Sequence, residues 1–355
     1  MRRLHAKKDG HIGALDGLRA IAILLVLLYH LTPGRDANHG LRSLHYKLAE
    51  IGWSGVDLFF VLSGFLITTK LLEARDGRHR FRDFYKRRAL RIFPLYYLAL
   101  TIAFVATPVA LGRQLPFWLY YSNFVNDAGV PHLDHFWSLA IEEQFYLLWP
   151  AVVFLTSGRA ARRICIAIII GAPLLRFALA ANGAAYAATY MWTPSRADAL
   201  AMGSFIAFAY VHERLRPWLL RASVLAFAVA LPLPLWAMWR GGAVFVLQNG
   251  TDPRSLFVRT LLPSSLALLF ASLLVLALEA RPLGRVLTGR VQTLLARYSY
   301  GTYVWHFMLV EPLARMLGPV PAMRFFAIGS IVSIAAAVVS YHAFEVFFLR
   351  WKSRV

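Results

Sequence analysis

An arginine and a histidine interrupt the first long apolar stretch of the sequence. Arg19 and His30 are eleven residues apart, and at about 100° per residue they point within about 20° of one another on a helix. Their separation along the helix axis is about 16 Å. Asp16 lies one turn before Arg19, where the two can form an ion pair. One helix face would therefore carry a cation that can bind an anion and an imidazole that can accept a proton near pH 7.

Two adjacent carboxylates, Glu142 and Glu143, lie in another apolar stretch, which opens at His135. Ser138, Glu142 and Tyr146 recur at four-residue spacing and share one helix face. An ionised side chain at the centre of a bilayer costs at least ~2.5 kcal/mol. We therefore expect at least one of the two carboxylates to contact a cation or to take part in proton transfer.

A basic segment contains Arg88 and Arg91, whose three-residue spacing places both cations on one helix face. The planar guanidinium groups match the geometry of phosphates. These two side chains could therefore bind the phosphates of a nucleotide-like substrate from the cytosol. For the neighbouring Lys86 and Arg87 we favour anchoring at the membrane surface or contact with anionic lipids.

Further ionisable residues lie within or beside apolar stretches. Asp57, shortly after Trp53, requires a partner if it is buried. Arg196 and Asp198 predict a charge pair at the edge of another stretch. His306 follows a tyrosine-rich segment, and we place it nearer the cytoplasmic end of its helix than the outer end. Such residues usually face the interior of a helix bundle, where they have a functional or an interhelical structural role.

The composition indicates which class of protein must position these residues. The chain has 355 residues, of which 59 % are hydrophobic and 16 % are charged, and its mean hydropathy is +0.55. Soluble domains have about 45–50 % apolar and about 25 % charged residues. The sequence therefore predicts a polytopic membrane protein and excludes a disordered chain, which would be far less apolar.

Charge and metal-ligating residues narrow the functional classes. The net charge of +20 fits basic loops that orient a membrane protein, so we expect no nucleic-acid partner. The single cysteine, Cys165, excludes an intrachain disulfide. His132 and His135 have the spacing of two metal ligands, but a structural metal needs about four. We expect no metal site.

Ten apolar segments are candidate transmembrane helices. They cover residues 12–31, 52–72, 92–111, 135–156, 163–181, 198–212, 218–239, 257–279, 296–314 and 325–349. With the N-terminus in the cytoplasm, the loops on that side hold 26 Lys and Arg and the outer loops hold 10, which agrees with the basic bias of cytoplasmic loops. The sequence predicts an all-α, polytopic membrane protein of about ten transmembrane helices, with both termini cytoplasmic. No long loop separates the spans, so we expect residues 1–355 to form a single transmembrane domain.

Together these residues resemble the membrane acyltransferase 3 family. Six segments match in the order of the family: Arg19 with His30, Gly52–Gly64, Arg88 with Arg91, Trp137–Pro150, Arg196 and Asp198 with Gly203, and Ser299–His306. The resemblance runs from about Leu15 to the end of the chain. It implies a multi-pass protein of a bacterial cytoplasmic membrane, in the form that lacks the soluble, esterase-like domain of some members.

By this resemblance, the protein moves an acyl group, most often acetyl, from cytosolic acyl-CoA to a hydroxyl group. Acyl-CoA would be the donor substrate, and we expect no permanently bound cofactor. The acceptor would be a sugar of a cell-envelope polysaccharide or oligosaccharide, lipid-linked or at the surface, and membrane lipids would be further partners. Two alternatives are transfer to a small molecule such as a macrolide and proton-coupled secondary transport.

The residue chemistry and the resemblance together give each candidate a role. We expect His30 to act as a general base or to carry the acyl group transiently, and Glu142 or Glu143 to orient an imidazole. The donor-binding residues would be Arg19, Arg88, Arg91 and His306. The supporting residues would be Asp16, Trp53, Asp57, Ser138, Tyr146, Arg196 and Asp198. Because the phosphates would bind at the inner face, a tunnel lined by Arg19 and His30 should lead outward from them.

Overall fold

The computed structural model describes residues 13–32, 44–125, 130, 132–211, 216–240 and 253–352. Its first helices are α1 (Gly13–His30), α2 (Leu44–Glu50), α3 (Gly55–Glu73), α4 (Arg80–Ala106), α5 (Leu111–Trp118), α6 (Phe136–Leu155), α7 (Gly158–Ala181), α8 (Tyr186–Tyr190) and α9 (Thr193–Val211). They are followed by α10 (Arg216–Ala230), α11 (Pro232–Arg240), α12 (Pro253–Glu279), α13 (Arg281–Val286), α14 (Arg290–Met308), α15 (Val310–Leu317), α16 (Ala322–Ser340) and α17 (Val346–Lys352). The described ranges contain no strand, which confirms the all-α prediction. The termini that we expect in the cytoplasm, residues 1–12 and 353–355, lie outside these ranges.

Eight of the described helical stretches are long and apolar enough to cross a membrane. They are Gly13–His30, Leu48–Glu73, Arg80–Ala106, Phe136–Leu155, Gly158–Ala181, Arg216–Ala237, Arg254–Glu279 and Ala322–Trp351. Eighteen residues of helix are about 27 Å long, which is close to the about 30 Å thickness of the hydrocarbon core. These stretches coincide with eight of the ten predicted spans and confirm a polytopic membrane protein.

The other two predicted spans, 198–212 and 296–314, form α9 and α14, which are less apolar. α9 packs against α3 and α7, and α14 packs against α1 and α16. Each has 19 residues and so is long enough to cross the bilayer core. A helix enclosed by other helices faces little lipid, so its sequence can be more polar than that of a lipid-facing span.

α4 begins twelve residues before the predicted span 92–111. The residues before that span are mostly good helix formers, among them arginines, a lysine and a leucine, and no glycine or proline interrupts them. The basic segment is therefore part of the helix itself. As a result, Arg88 and Arg91 are fixed on a helix rather than on a loop in front of it.

The predicted span 296–314 divides into two helices. α14 ends at Met308 and α15 begins at Val310. Pro312 explains the division, because proline is tolerated in the first turn of a helix but clashes in its interior. The break places His306 in the last turn of α14.

α3 and α9 cross at two glycines. A Cβ atom at Gly64 would overlap the backbone carbonyl of Leu200, and one at Gly203 would overlap that of Val61. Small residues allow the backbones of two membrane helices to approach closely, which increases their van der Waals contact. This crossing fixes α9 against α3, and α3 forms part of the wall of the site described below.

Alanine at either crossing glycine should destabilise the fold. Gly64→Ala and Gly203→Ala insert a methyl group where backbone already lies, and overpacking of this kind costs about 1–3 kcal/mol. The melting temperature of the purified protein in detergent measures the effect. Gly171→Ala on α7 is the matched control, because a Cβ there meets nothing within 4 Å. Equal melting temperatures for the three variants would contradict the close crossing.

Candidate active site

Helices α1, α3, α4, α6 and α14 surround a cavity inside the bundle. Its open space is about 810 Å³, a volume that includes the solvent at its mouth. The polar part of its lining is Arg19, Ser63, Arg88, Arg91, Ser138, Glu142, Tyr146, Ser299, Tyr300 and Tyr303. Most of the rest is apolar, including Phe59 and Leu66. The structure thus brings together the predicted residues of α1, α4 and α6.

Arg88 lies between the two adjacent carboxylates. Its Nη2 is 3.9 Å from Glu142 Oε2, and its Nε is 3.4 Å from Glu143 Oε1. The guanidinium also covers the ring of Tyr146, 3.7 Å from the ring centroid, and the Tyr146 hydroxyl donates to Glu142 over 3.0 Å. The prediction that these carboxylates contact a cation is confirmed.

The prediction that Glu142 or Glu143 orients an imidazole is wrong in this structure. No imidazole contacts either carboxylate within the part of the chain that the structure describes. The reason is that α4 places a full positive charge against them, and a buried carboxylate requires such a partner more than it requires a neutral ring. Both residues act on Arg88 and leave the histidines to other partners.

Arg19 and Arg91 enter the same cavity without a direct carboxylate contact. Over the described residues, neither guanidinium has a carboxylate oxygen within 4.0 Å. The ion pair expected between Asp16 and Arg19 does not form, because Arg19 extends into the cavity instead. Three guanidinium groups therefore line the cavity, and direct carboxylate contacts hold only Arg88, while Asp16 and Glu345 act on Arg19 and Arg91 from beyond contact distance.

Three histidines from different parts of the chain meet beside this cavity. His306 Nε2 is 3.1 Å from His30 Nδ1, and the ring centroids of His306 and His135 are 5.0 Å apart. His306 is fully buried, and His135 is 3 % exposed. The cluster joins the end of α1, the residue before α6 and the last turn of α14.

Tyr303 separates the cavity from the histidines. Its side chain lines the cavity, and its hydroxyl donates to the carbonyl oxygen of His135 over 2.9 Å and contacts the hydroxyl of Ser138. His30 is absent from the cavity wall formed by the described residues. The predicted tunnel lined by both Arg19 and His30 is therefore only half present, since Arg19 lines the cavity and the Tyr303 ring lies between the cavity and the histidines.

The predicted position of His306 is wrong. We expected it near the cytoplasmic end of its helix, among the donor-binding arginines. α14 instead begins at Arg290 and ends at Met308, so His306 lies in the last turn, next to His30. The four donor-binding candidates therefore divide into three arginines in the cavity and a histidine outside it.

The charge pair expected between Arg196 and Asp198 does not form, because each residue pairs with another helix. Arg196 Nη2 is 2.7 Å from Asp57 Oδ1, and both side chains are 1 % exposed. Asp198 Oδ2 is 3.0 Å from Nη2 of Arg176, and Nε of the same arginine donates to the carbonyl oxygen of Thr260. These pairs connect α9 to α3, α7 and α12, which is a structural role for the supporting residues, and the partner required by Asp57 is found.

Trp53 belongs to an aromatic cluster near the histidine end of α1. Its ring centroid is 5.6 Å from that of Tyr190, and Trp137 lies 5.1 Å from the same ring. Arg196 lies 4.8 Å from the Tyr190 centroid, so the cluster covers the buried ion pair. His132 and His135, which have the spacing of metal ligands, lie apart in the structure. His132 contacts Glu311 on α15, whereas His135 belongs to the cluster of three histidines.

The predicted site residues omit several residues of this region. Ser63, Ser299, Tyr300 and Tyr303 line the cavity, and His135 packs beside His306. Tyrosine and serine carry no charge penalty in a bilayer, so nothing in the pattern separated them from packing residues. Arg176 could have been found, because it is an arginine inside an apolar stretch like Arg19.

Comparison with known proteins agrees with this arrangement. The family model described as an acyltransferase domain, that of the acyltransferase 3 family, matches residues 12–342. This chain belongs to the acyltransferase 3 family. The match includes every cavity and cluster residue named above, so the family likeness and the cavity describe the same part of the molecule.

Curated relatives of this acyltransferase are O-acetyltransferases by name. The peptidoglycan O-acetyltransferase OatA of Listeria monocytogenes is 29 % identical over 87 % of this chain and 51 % of its own length. YrhL of Bacillus subtilis, named provisionally as a peptidoglycan O-acetyltransferase, is 30 % identical over 94 % of this chain and 54 % of its own. The chain spans about half the length of these curated relatives. No solved structure matches it significantly.

Removal of one partner of the buried Asp57–Arg196 pair should destabilise the acyltransferase. Arg196→Met leaves a buried carboxylate uncompensated, which costs about 3–5 kcal/mol. The double variant Asp57→Leu with Arg196→Met should recover most of that loss, because no charge is left buried. Thermal unfolding in detergent measures both.

The control for this prediction is Lys70→Met. Lys70 pairs with Glu73 across one turn of α3, where both side chains are at least half exposed, and such pairs contribute little. If the single Arg196 variant melted at the temperature of this control, the buried pair would not stabilise the fold.

Proposed function

We propose that this acyltransferase transfers an acetyl group from cytosolic acyl-CoA to a hydroxyl group of a cell-envelope glycan. Donor binding is supported by one observation: the guanidinium groups of Arg19 and Arg91 line the cavity, and no carboxylate oxygen of the described residues lies within 4.0 Å of either. The names of its relatives favour acetyl as the group and peptidoglycan as the glycan. The site would then act in a bacterial cytoplasmic membrane.

The donor phosphates would bind at the arginine end of the cavity. A guanidinium without a carboxylate partner can form charge-assisted, bidentate hydrogen bonds to phosphate. Arg91 and Arg19 are suited to this contact, whereas Arg88 is already held by Glu142 and Glu143. The two carboxylates would then position Arg88 at the cavity wall and prevent repulsion between three cations. This replaces their expected role as catalytic residues.

The acyl group would reach the acceptor beside the histidine cluster. About 16 Å separates Arg19 from His30 along α1, a distance that the extended pantetheine arm of acyl-CoA would have to cover. Tyr303 lies on that path and would have to move for the thioester to pass. We expect Arg19 to contact either a phosphate or the thioester oxygen.

The reaction needs one proton acceptor. As the acceptor hydroxyl oxygen forms a bond to the thioester carbon, His30 would take the hydroxyl proton. The carbon–sulfur bond then breaks, and the CoA thiolate leaves and takes up the proton held by His30, which restores the neutral imidazole and gives the free thiol. Products are the acetyl ester and CoA, so thiol release reports turnover.

Loss of an unpaired arginine should weaken donor binding more than catalysis. Arg91→Ala and Arg19→Ala should each raise the KM for acetyl-CoA by about tenfold or more, since a hydrogen bond to a charged group contributes about 1.5–3 kcal/mol. Arg87→Ala is the control, because Arg87 neighbours the site in sequence but is exposed. Thiol release from acetyl-CoA in the presence of soluble muropeptides provides the measurement. An unchanged KM in both variants would remove these arginines from the donor site.

His30→Ala should abolish acetyl transfer and leave acetyl-CoA binding intact. General-base catalysis typically contributes about 10²–10⁴-fold in rate, so turnover should fall by at least that factor. Mass spectrometry of acetylated muropeptides measures transfer, and titration with acetyl-CoA measures binding. His342→Ala, an exposed histidine that contacts Tyr298, is the matched control. Wild-type turnover in the His30 variant would show that another group is the base.

A further inference from the structure

The contacts of His306 determine which of its ring nitrogens carries hydrogen. Nδ1 of His306 is 2.7 Å from the carbonyl oxygen of Tyr303. A carbonyl oxygen only accepts hydrogen bonds, so Nδ1 must be the donor. In a neutral imidazole the other nitrogen then carries the lone pair. Nε2 of His306 is therefore an acceptor, and it faces His30.

His30 presents its own Nδ1 to two acceptors. One is Nε2 of His306, at 3.1 Å, and the other is the carbonyl oxygen of Val26, at 3.2 Å. Because neither of these atoms can donate, the hydrogen must be on Nδ1 of His30. The lone pair of neutral His30 is consequently on Nε2, which is the atom that can take up a proton.

We propose that His306 is the positioning residue of His30, which it holds in the tautomer with a basic Nε2. This rests on the proposed function, in which His30 is the general base. When Nε2 of His30 takes the acceptor's proton, the ring becomes an imidazolium and its Nδ1–H bond to His306 becomes charge-assisted. His306 thereby has the role that a carboxylate has in a hydrolase triad, the role we first expected of Glu142 or Glu143.

The surroundings of His306 fix its orientation. The ring is fully buried and packs beside His135, whose Nε2 donates to the carbonyl oxygen of Val304 over 3.2 Å. Tyr303, which supplies the carbonyl for His306, is itself held through its hydroxyl by the backbone of His135. The bond from its Nδ1 to the Tyr303 carbonyl fixes the donor side of the His306 ring, and the other two bonds hold the groups that pack around it. An imidazole with a fixed donor side can impose a tautomer on the imidazole that faces its acceptor side.

Nitrogen NMR tests the tautomer directly. The 355-residue protein would be labelled with isotopic histidine in lipid nanodiscs, and the signals lost in His30→Ala would assign His30. We expect Nδ1 of wild-type His30 to be protonated, and the other tautomer to gain population in His306→Leu, where only the Val26 carbonyl still accepts from Nδ1. Protonation of wild-type His30 on Nε2 would overturn the proposal. This result stands even if the leucine variant does not fold.

Kinetics with acetyl-CoA and soluble muropeptides test the positioning role. His306→Leu should lower kcat by about 10²-fold with an unchanged KM for acetyl-CoA. His306→Gln should recover much of this loss, because its side-chain carbonyl can accept a hydrogen bond from His30. A raised KM with an unchanged kcat would place His306 in the donor site and overturn the proposal. An unchanged tautomer together with an unchanged kcat in the leucine variant would also overturn it.

The two proposals fail in different ways. Full turnover in His30→Ala would end the assignment of His30 as the base, whatever its tautomer. An inactive His30→Ala together with a fully active His306→Leu would retain the base and remove its positioning residue. His342→Leu, in which an exposed histidine of another helix is lost, should leave kcat and KM unchanged and is the control for histidine replacement.

Discussion

The structure depends on the placement of positive charge inside a helix bundle that crosses a membrane. A guanidinium at this depth is costly unless carboxylates, water or a bound anion neutralise it. Glu142 and Glu143 neutralise Arg88, while Arg19 and Arg91 line the cavity with no carboxylate oxygen of the described residues within 4.0 Å of their guanidinium groups. Such a cavity attracts an anion, and this attraction is the physical basis of the proposed donor site.

The rest of the bundle holds this charge in place. The glycine crossing of α3 and α9 and the pairs of Asp57 with Arg196 and of Asp198 with Arg176 tie together helices behind the cavity. α14 completes the cavity wall and also carries His306 to His30. Because one helix does both, a movement of Tyr303 would change the cavity and the histidine cluster together.

Local spacing predicted much of the fold, because helix periodicity and apolar length are properties of neighbouring residues. The face shared by Ser138, Glu142 and Tyr146 is an example, since all three line the cavity. Pairings between distant segments could not be predicted, because spacing does not say which helices touch. The partners of Glu143 and Asp198 were therefore missed, and the proline that ends α14 moved His306 from its expected depth.

The central claim is that the arginine end of the cavity binds the phosphates of the acyl donor. The most direct measurement is a cryo-electron microscopy structure of the protein with a non-reactive analogue of acetyl-CoA. We predict phosphate oxygens within about 3 Å of Arg19 or Arg91 and the thioester end directed toward Tyr303 and His30. An analogue bound outside the cavity, or phosphates with no arginine contact inside it, would contradict the account.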